Sequence, residues 1–309
     1  VKVLPLLNGR QVISVVGTGK GSGKTTTVNF ILSEGKKALR LGVTAFGLGG
    51  VQTLLQIPEG SLIALARNCE VTKKLELLDE TDANSPWGNI VIGRTVEDCE
   101  AVIAGPVSLK DLIKIKEKFF ALGCELMVVD SSLNRKSLSS AFLSQGVILS
   151  AGIDFPDRDS LFEEILSQVE MLTILEATSF PPSLNRHYAK KKEGWVPFSL
   201  EEVTPSSFEE VEEIFWPGAF LNEHANFLRS LDFPLSVIVE EPWHLFLTQS
   251  IWCELKKEGY TFKAASRTPL LLVTLNPLSS TGFSLDPRDF SSRASEMLKP
   301  VKVFDLLYE

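Results

Sequence analysis

Cysteine and histidine are both scarce: the 309-residue chain holds four cysteines and three histidines. Cys69, Cys99, Cys124 and Cys253 are scattered, with no Cys-x-x-Cys and no His at ligand spacing. That argues against a zinc site and against a disulfide framework, and the cysteines read as reduced, mostly buried thiols. Positive charge is also short. Lys and Arg number 31 against 39 Asp and Glu, a net charge of −8, so an extended nucleic-acid footprint is not expected. Long apolar runs are missing too: the longest uncharged stretch, Ser137 to Ile153, is rich in serine and broken by glycine, unlike a membrane span. Val1-Lys2-Val3-Leu4-Pro5 lacks the apolar core and cleavage pattern of a secretory leader. The expected location is therefore cytoplasmic. There is no internal repeat.

What is present begins at Gln11. Gln11-Val12-Ile13-Ser14-Val15-Val16 reads as a buried parallel strand. Gly17-Thr18-Gly19-Lys20-Gly21-Ser22-Gly23-Lys24-Thr25-Thr26-Thr27 follows, and Val28, Ile31 and Leu32 then share one helical face. Strand, glycine loop and helix in that order are the context a phosphate-binding loop requires. Glycines let the backbone curl so that N–H groups converge, and the helix contributes its free amides and positive dipole end. The loop Gly17, Thr18, Gly19, Lys20, Gly21, Ser22, Gly23, Lys24, Thr25 and Thr26 is thus the expected nucleotide site. Lys24 is expected to bridge the β- and γ-phosphates and the Thr25 hydroxyl to bind Mg²⁺.

One spacing departs from the usual motif. Its first glycine falls on Thr18, between Gly17 and Gly19. The second signature lysine of the dimerising ParA- and Mrp-like ATPases falls on Gly19, which sets the chain apart from them. Gly19-Lys20-Gly21-Ser22 is similar to the Gly-Lys-Gly-Ser loop of folate and muramyl ligases. Lys24 is favoured because the helical pattern begins directly behind it. Lys20 reads as either a solvated cation or a second phosphate contact.

Leu126-Met127-Val128-Val129-Asp130 is the second chemical element, a buried strand delivering one carboxylate to the top of the sheet. There Asp130 can hold the Mg²⁺ shell or orient water. Arg135 and Lys136 follow, either on a solvated loop or against phosphate or a partner. No Asn-Lys-x-Asp or Thr-Lys-x-Asp follows a late strand, which favours ATP over GTP.

Strands and helices alternate along the chain, as in a parallel sheet covered on both faces. Further strands are expected at 38–44, 89–92, 101–104, 146–150, 235–239, 270–274 and 301–305, and helices at 109–122, 160–171 and 243–257. The expected fold is α/β: a three-layer parallel sheet of P-loop NTPase type with a second, smaller α/β domain. The division expected is 1–205 for the nucleotide-binding domain and 206–309 for the second. Residues 181–205, with Pro181, Pro182 and the basic run Arg186 to Lys192, read as a linker-like excursion. Trp216, Trp243 and Trp252 read as core and rim, or as an aromatic partner patch. Glu240-Glu241 reads as surface charge or a site.

Several blocks resemble the P-loop subunit of the reactivating factor of lysine 5,6-aminomutase, a cobalamin- and pyridoxal-phosphate-dependent enzyme. They are Val129-Asp130-Ser131-Ser132-Leu133-Asn134-Arg135-Lys136-Ser137 and Gly146-Val147-Ile148-Leu149-Ser150-Ala151-Gly152. Shorter ones are Gly42-Val43-Thr44, Gly88 to Arg94, Val102 to Pro106 and Val273-Thr274-Leu275-Asn276-Pro277. The family's Arg-Asp-Gly-Glu stretch is replaced here by Gly47-Leu48-Gly49-Gly50, and its Asp-Gly by Asp130-Ser131. The resemblance implies an ATPase that releases damaged cobalamin from an aminomutase, with a second reactivase subunit. Gly47–Gly50 and Ser131–Ser137 are the expected switch loops. Two other uses of the same parts stay open: an ATP-dependent kinase or ligase acting on a small metabolite, and a nucleotide-gated binding module with negligible turnover.

Overall fold

The computed structural model describes residues 4–7, 9–19, 21–47, 54–131, 143–152, 158–201, 208, 210–231, 233–277 and 285–306. Two compact units divide the chain: 1–158 with 269–309, and 159–268. This differs from a boundary after residue 205. The chain leaves the first unit, builds the second, and returns to add its last strands to the first sheet, so the second unit is an insertion.

In chain order the first unit contains β1 (Val12–Gly17), α1 (Lys24–Gly35), β2 (Leu41–Ala45), β3 (Leu62–Ala66), β4 (Leu75–Ser85) and β5 (Gly88–Thr95). Next come α2 (Leu109–Ala121), β6 (Leu126–Asp130) and β7 (Val147–Gly152). The inserted unit follows, with α3 (Arg158–Leu172), β8 (Leu175–Glu176), β9 (Tyr188–Lys191), β10 (Gly194–Pro197) and β11 (Glu213–Trp216). It also holds α4 (His224–Arg229), β12 (Ser236–Val239), α5 (Gln249–Lys257) and β13 (Thr261–Ala264), besides the short strand pair Phe220–Leu221 and Leu245–Phe246. After the return come β14 (Leu270–Asn276), α6 (Pro287–Met297) and β15 (Val303–Asp305).

The first unit is one nine-stranded sheet in the order β15-β14-β7-β1-β6-β2-β3-β5-β4. It is parallel throughout except at the β3-β5-β4 edge, where the pairs are antiparallel. All six residues of β1 and all five of β6 are buried, the signature of strands covered on both faces. The two faces can be told apart. Ile13, Val15, Leu126 and Val128 pack with Val28, Ile31 and Leu32 of α1. Their neighbours Val12, Met127 and Val129 pack with Leu112, Ile115 and Phe119 of α2. Helices therefore cover opposite sides, and the period-two alternation of the strands is what divides the core. Phe119 is fully buried, and a side chain of its size contributes up to about 3 kcal/mol through burial.

Two expectations change here. Of the 101–104 region only Ala101 lies in a strand, the last residue of Cys99–Ala101, which pairs antiparallel with Leu55–Ile57 outside the main sheet. The long β4 was not expected, because its charged sequence, half-buried or exposed at all but Ala83, shows no apolar alternation.

In the inserted unit the sheet order is β8-β13-β12-β11-β9-β10, parallel from β8 to β11 and antiparallel beyond. The expected linker at 181–205 is in part the β9–β10 hairpin, turned at Gly194 with φ 128. The lysines of the basic run lie on it or at its turn, and two of them are paired. Lys190 bonds Glu213 at 2.7 Å, Lys192 bonds Glu210 at 3.0 Å, and Lys263 reaches Glu213 at 2.6 Å. Burial pushes the Glu213 carboxyl up, but the two ammonium groups outweigh it and leave it below its ordinary value. The expected helix 243–257 begins only at Gln249, after the short 3-10 turn Pro242–His244, where Pro242 removes an amide. Trp216, Trp243 and Trp252 are all buried, so they serve as core.

Trp216 is the hub of an aromatic cluster. His187 and His224 each lie with ring centroids 4.5 Å from its indole, with Phe220 at 5.1 Å. Burial lowers both imidazoles below their ordinary value; the charge of His224 adds to this at His187, while Glu223 opposes it at His224. The sign follows from linkage. A depressed base binds fewer protons folded than unfolded, so stability is lost as pH falls below the ordinary value of about 6.5. Near-UV circular dichroism during unfolding is expected to show a lower midpoint at pH 5 than at pH 7.5. His187→Phe/His224→Phe is expected to flatten that difference, and an unchanged difference in the double variant would rule the cluster out as its source.

Candidate functional site

The order of the first sheet locates the site. From β1 the chain crosses to β2 on one side; from β7 it continues to β14 on the other. The carboxyl ends of β1 and β7 are adjacent and parallel, with Gly17 opposite Ser150. Such a point, where the winding reverses, opens a crevice in which α/β sheets take ligands. The loop Thr18–Gly23 occupies it.

Each described loop residue can be placed. Gly17 ends β1 and is buried, Thr18 is half-buried, and Gly19 and Gly21 are exposed. Lys20 lies outside the described residues. Ser22 is buried, Gly23, Lys24 and Thr25 are half-buried, and Thr26 is exposed. Gly23 is the residue before α1, with φ 88, a conformation that only glycine adopts without strain. A methyl group there would also lie 2.8 Å from Asn276 Cβ, and one at Gly17 would lie 2.7 Å from Lys24 Cγ. The turn and the tight packing both demand glycine. Among the described residues no side chain caps α1, which leaves its first amides for a ligand or water.

Thr18 Oγ1, Ser22 Oγ and Asp130 Oδ1 are buried and make no hydrogen bond with any described residue. Buried polar atoms are nearly always satisfied, and an orphan left aside in the folded chain costs about 1–3 kcal/mol. Three around one loop mark a place built to be completed. Asp130 ends β6, beside Val15 of β1 and Ala45 of β2. Lys24 Nζ lies 3.7 Å from Asp130 Oδ1 and donates to the Ser131 carbonyl at 3.2 Å. Burial pushes the Asp130 carboxyl above its ordinary value, and Lys24 only partly offsets it. The structure thus brings together Lys24, Thr25, Asp130 and the glycine loop at one carboxyl edge. The donor set suits Mg²⁺, which takes a hydroxyl and one or two carboxylates and completes its shell with phosphate and water. Among the described residues no group of three or more His, Cys, Asp and Glu could hold a metal by protein ligands alone.

Sequence reasoning missed the supports. Asn276, the last residue of β14, donates from Nδ2 to the Gly21 carbonyl at 2.8 Å. The Thr18 amide donates to the Ser150 carbonyl at 2.9 Å, which stitches the loop to β7. Gly152 lies so close beneath it that an added methyl would sit 2.6 Å from Ser22 Cα. These partners come from distant parts of the chain, and no local pattern announces them.

Of the expected switch loops, Gly47 and Ser131 are described, whereas 48–50 and 132–137, with Arg135 and Lys136, lie outside. Gly47 exchanges backbone bonds with Gly105 and Pro106 at 2.8 and 2.7 Å. Glu240 is not a free surface charge: it accepts from the Gly218 amide at 2.9 Å. Among the described residues no helix is long and apolar enough to cross a membrane. No family model matches the chain, and neither does any curated protein or solved structure.

Proposed function

We propose that the chain is a P-loop nucleotidase that binds ATP with Mg²⁺ and works as an accessory factor on a protein partner. The observation that carries the nucleotide reading is the trio of orphaned buried groups, Thr18 Oγ1, Ser22 Oγ and Asp130 Oδ1, around an uncapped helix start at a reversal of strand order. Backbone amides of 21–24 would cradle the phosphates, and Lys24 would place its charge on them. Thr25 and Asp130 would hold Mg²⁺, which when bound supplies neutralising charge for phosphoryl chemistry.

The resemblance supplies the partner: a cobalamin-dependent aminomutase, relieved of damaged cobalamin, with a second reactivase subunit. A γ-phosphate that orders a loop and releases it on hydrolysis is a sufficient physical drive for such exchange. The test is ATP hydrolysis measured alone, with the mutase and with small metabolites. Turnover rising only with the mutase is the expected outcome. Dependence on a small metabolite would favour a kinase or ligase, and tight binding without turnover a gated binding module. Asp130→Asn is expected to lower Mg²⁺-dependent turnover more than ATP affinity; equal loss of both would make Asp130 structural.

A further inference from the structure

Beneath the loop, three hydroxyl oxygens close a triangle. Thr27 Oγ1 lies 2.7 Å from Ser150 Oγ and 2.7 Å from Thr274 Oγ1, which are 2.9 Å from each other. Thr27 Oγ1 also lies 3.1 Å from the Gly23 carbonyl. All three residues are buried, on α1, β7 and β14 respectively. A hydroxyl back-bonded to the carbonyl four residues earlier is common in helices and by itself signifies little. Here the same oxygen is also gripped from two strands.

Counting protons shows what the grip does. Each hydroxyl owns one proton, so three protons serve four contacts. The Gly23 carbonyl can only accept. If Thr27 donates to it, the protons of Ser150 and Thr274 remain for the triangle, and however they are arranged Thr27 accepts at least one. In that arrangement the strand hydroxyls fill at least one lone pair of Thr27 while its proton stays on the Gly23 carbonyl. Without them the buried rotor loses its acceptor contacts and is free to turn. Gly23 carries the left-handed turn into α1, and its carbonyl belongs to the peptide whose N–H is that of Lys24. The tilt of that peptide sets where one amide of the phosphate cradle points.

We propose that Ser150 and Thr274 are positioning residues for nucleotide binding, holding the Gly23–Lys24 peptide in register through Thr27. The proposal rests on the nucleotide reading above. The experiment compares the wild-type chain, Ser150→Ala/Thr274→Val and Thr274→Ser, using Mg·ATP and ADP as titrants in calorimetry, with thermal unfolding recorded alongside. The double variant is expected to bind both nucleotides about three- to tenfold more weakly, the equivalent of one net hydrogen bond. Thr274→Ser, which keeps the hydroxyl, is expected to bind as the wild type does. A purely structural role would move the unfolding midpoint and leave affinity at 20 °C or so unchanged. Wild-type affinity in the double variant overturns the proposal whatever its midpoint. A wild-type chain that takes neither nucleotide overturns the reading beneath it instead, and the two failures are distinguishable.

Discussion

Lys24→Ala is expected to cost the chain both its nucleotide and part of its stability, and adding Asp130→Asn to restore the stability alone. The lysine does two jobs. Toward a ligand it is a charge on phosphate, and losing such a charge-assisted contact weakens binding roughly 10- to 100-fold. Toward the protein it is the cation 3.7 Å from Asp130, whose side chain is only 9% exposed. Burial has already raised the carboxyl against the pull of Lys24, so removing that pull raises it further. Breaking such a pair leaves a buried charge uncompensated, at a cost of about 3 kcal/mol. The sign of the pH dependence follows. Removing Lys24 raises the folded-state value further, so the deficit of the single variant is absent in acid, opens as pH rises above the wild-type folded-state value and is complete at the variant's higher one. In the double variant no charge remains to bury, and the deficit should close. Denaturant unfolding at pH 3 and pH 7.5, with ATP titration, reads both effects. A single variant as stable as the wild type at both values would show that Asp130 does not depend on Lys24.

How much of this was legible in the sequence depends on sequence distance. The strand at Val12, the glycine loop and the helix at Lys24 are contiguous, so periodicity and turn chemistry expose them together. Asp130 could be placed because an apolar strand that stops at a carboxylate is also a local pattern. Asn276, Ser150, Thr274 and Gly152 could not. Each acts on the loop only because β7 and β14 lie beside β1, and nothing within those strands encodes their neighbours. The same blindness hid the insertion. Leu270–Asn276 reads as a strand wherever it pairs, and only its ladder with β7 shows that the chain has come back. The hairpin at Tyr188–Pro197 was obscured for a different reason. Its lysines signal solvent in isolation, yet on β9 Lys190 faces Glu213 across the ladder and becomes a sheet contact.

Gly152→Ala tests the site from the side that the sequence hides. The backbone of Gly152 lies outside the left-handed region, so alanine can adopt it without strain. The added methyl is the whole perturbation. It would lie 2.6 Å from Ser22 Cα and 2.7 Å from the Gly21 carbonyl oxygen, both main-chain atoms of the loop. No side chain can swing aside. Restoring an ordinary 3.4 Å contact to Ser22 Cα requires the loop, β7 or both to retreat by about 0.8 Å. Overpacking of this kind costs about 1–3 kcal/mol, which a core as extensive as this sheet can absorb. Function should be far less forgiving. The Asn276 bond to Gly21 and the Thr18 bond to Ser150 hold the loop within hydrogen-bond tolerance, and a displacement approaching 1 Å is of the size that costs on the order of 10²-fold in turnover. The variant is therefore expected to fold, with a modestly lowered unfolding midpoint, and to lose ATP binding and hydrolysis almost entirely. Full affinity in a folded Gly152→Ala chain would mean that the loop yields at this contact without changing shape, and that the surface cupping the phosphates is not the one that rests on β7.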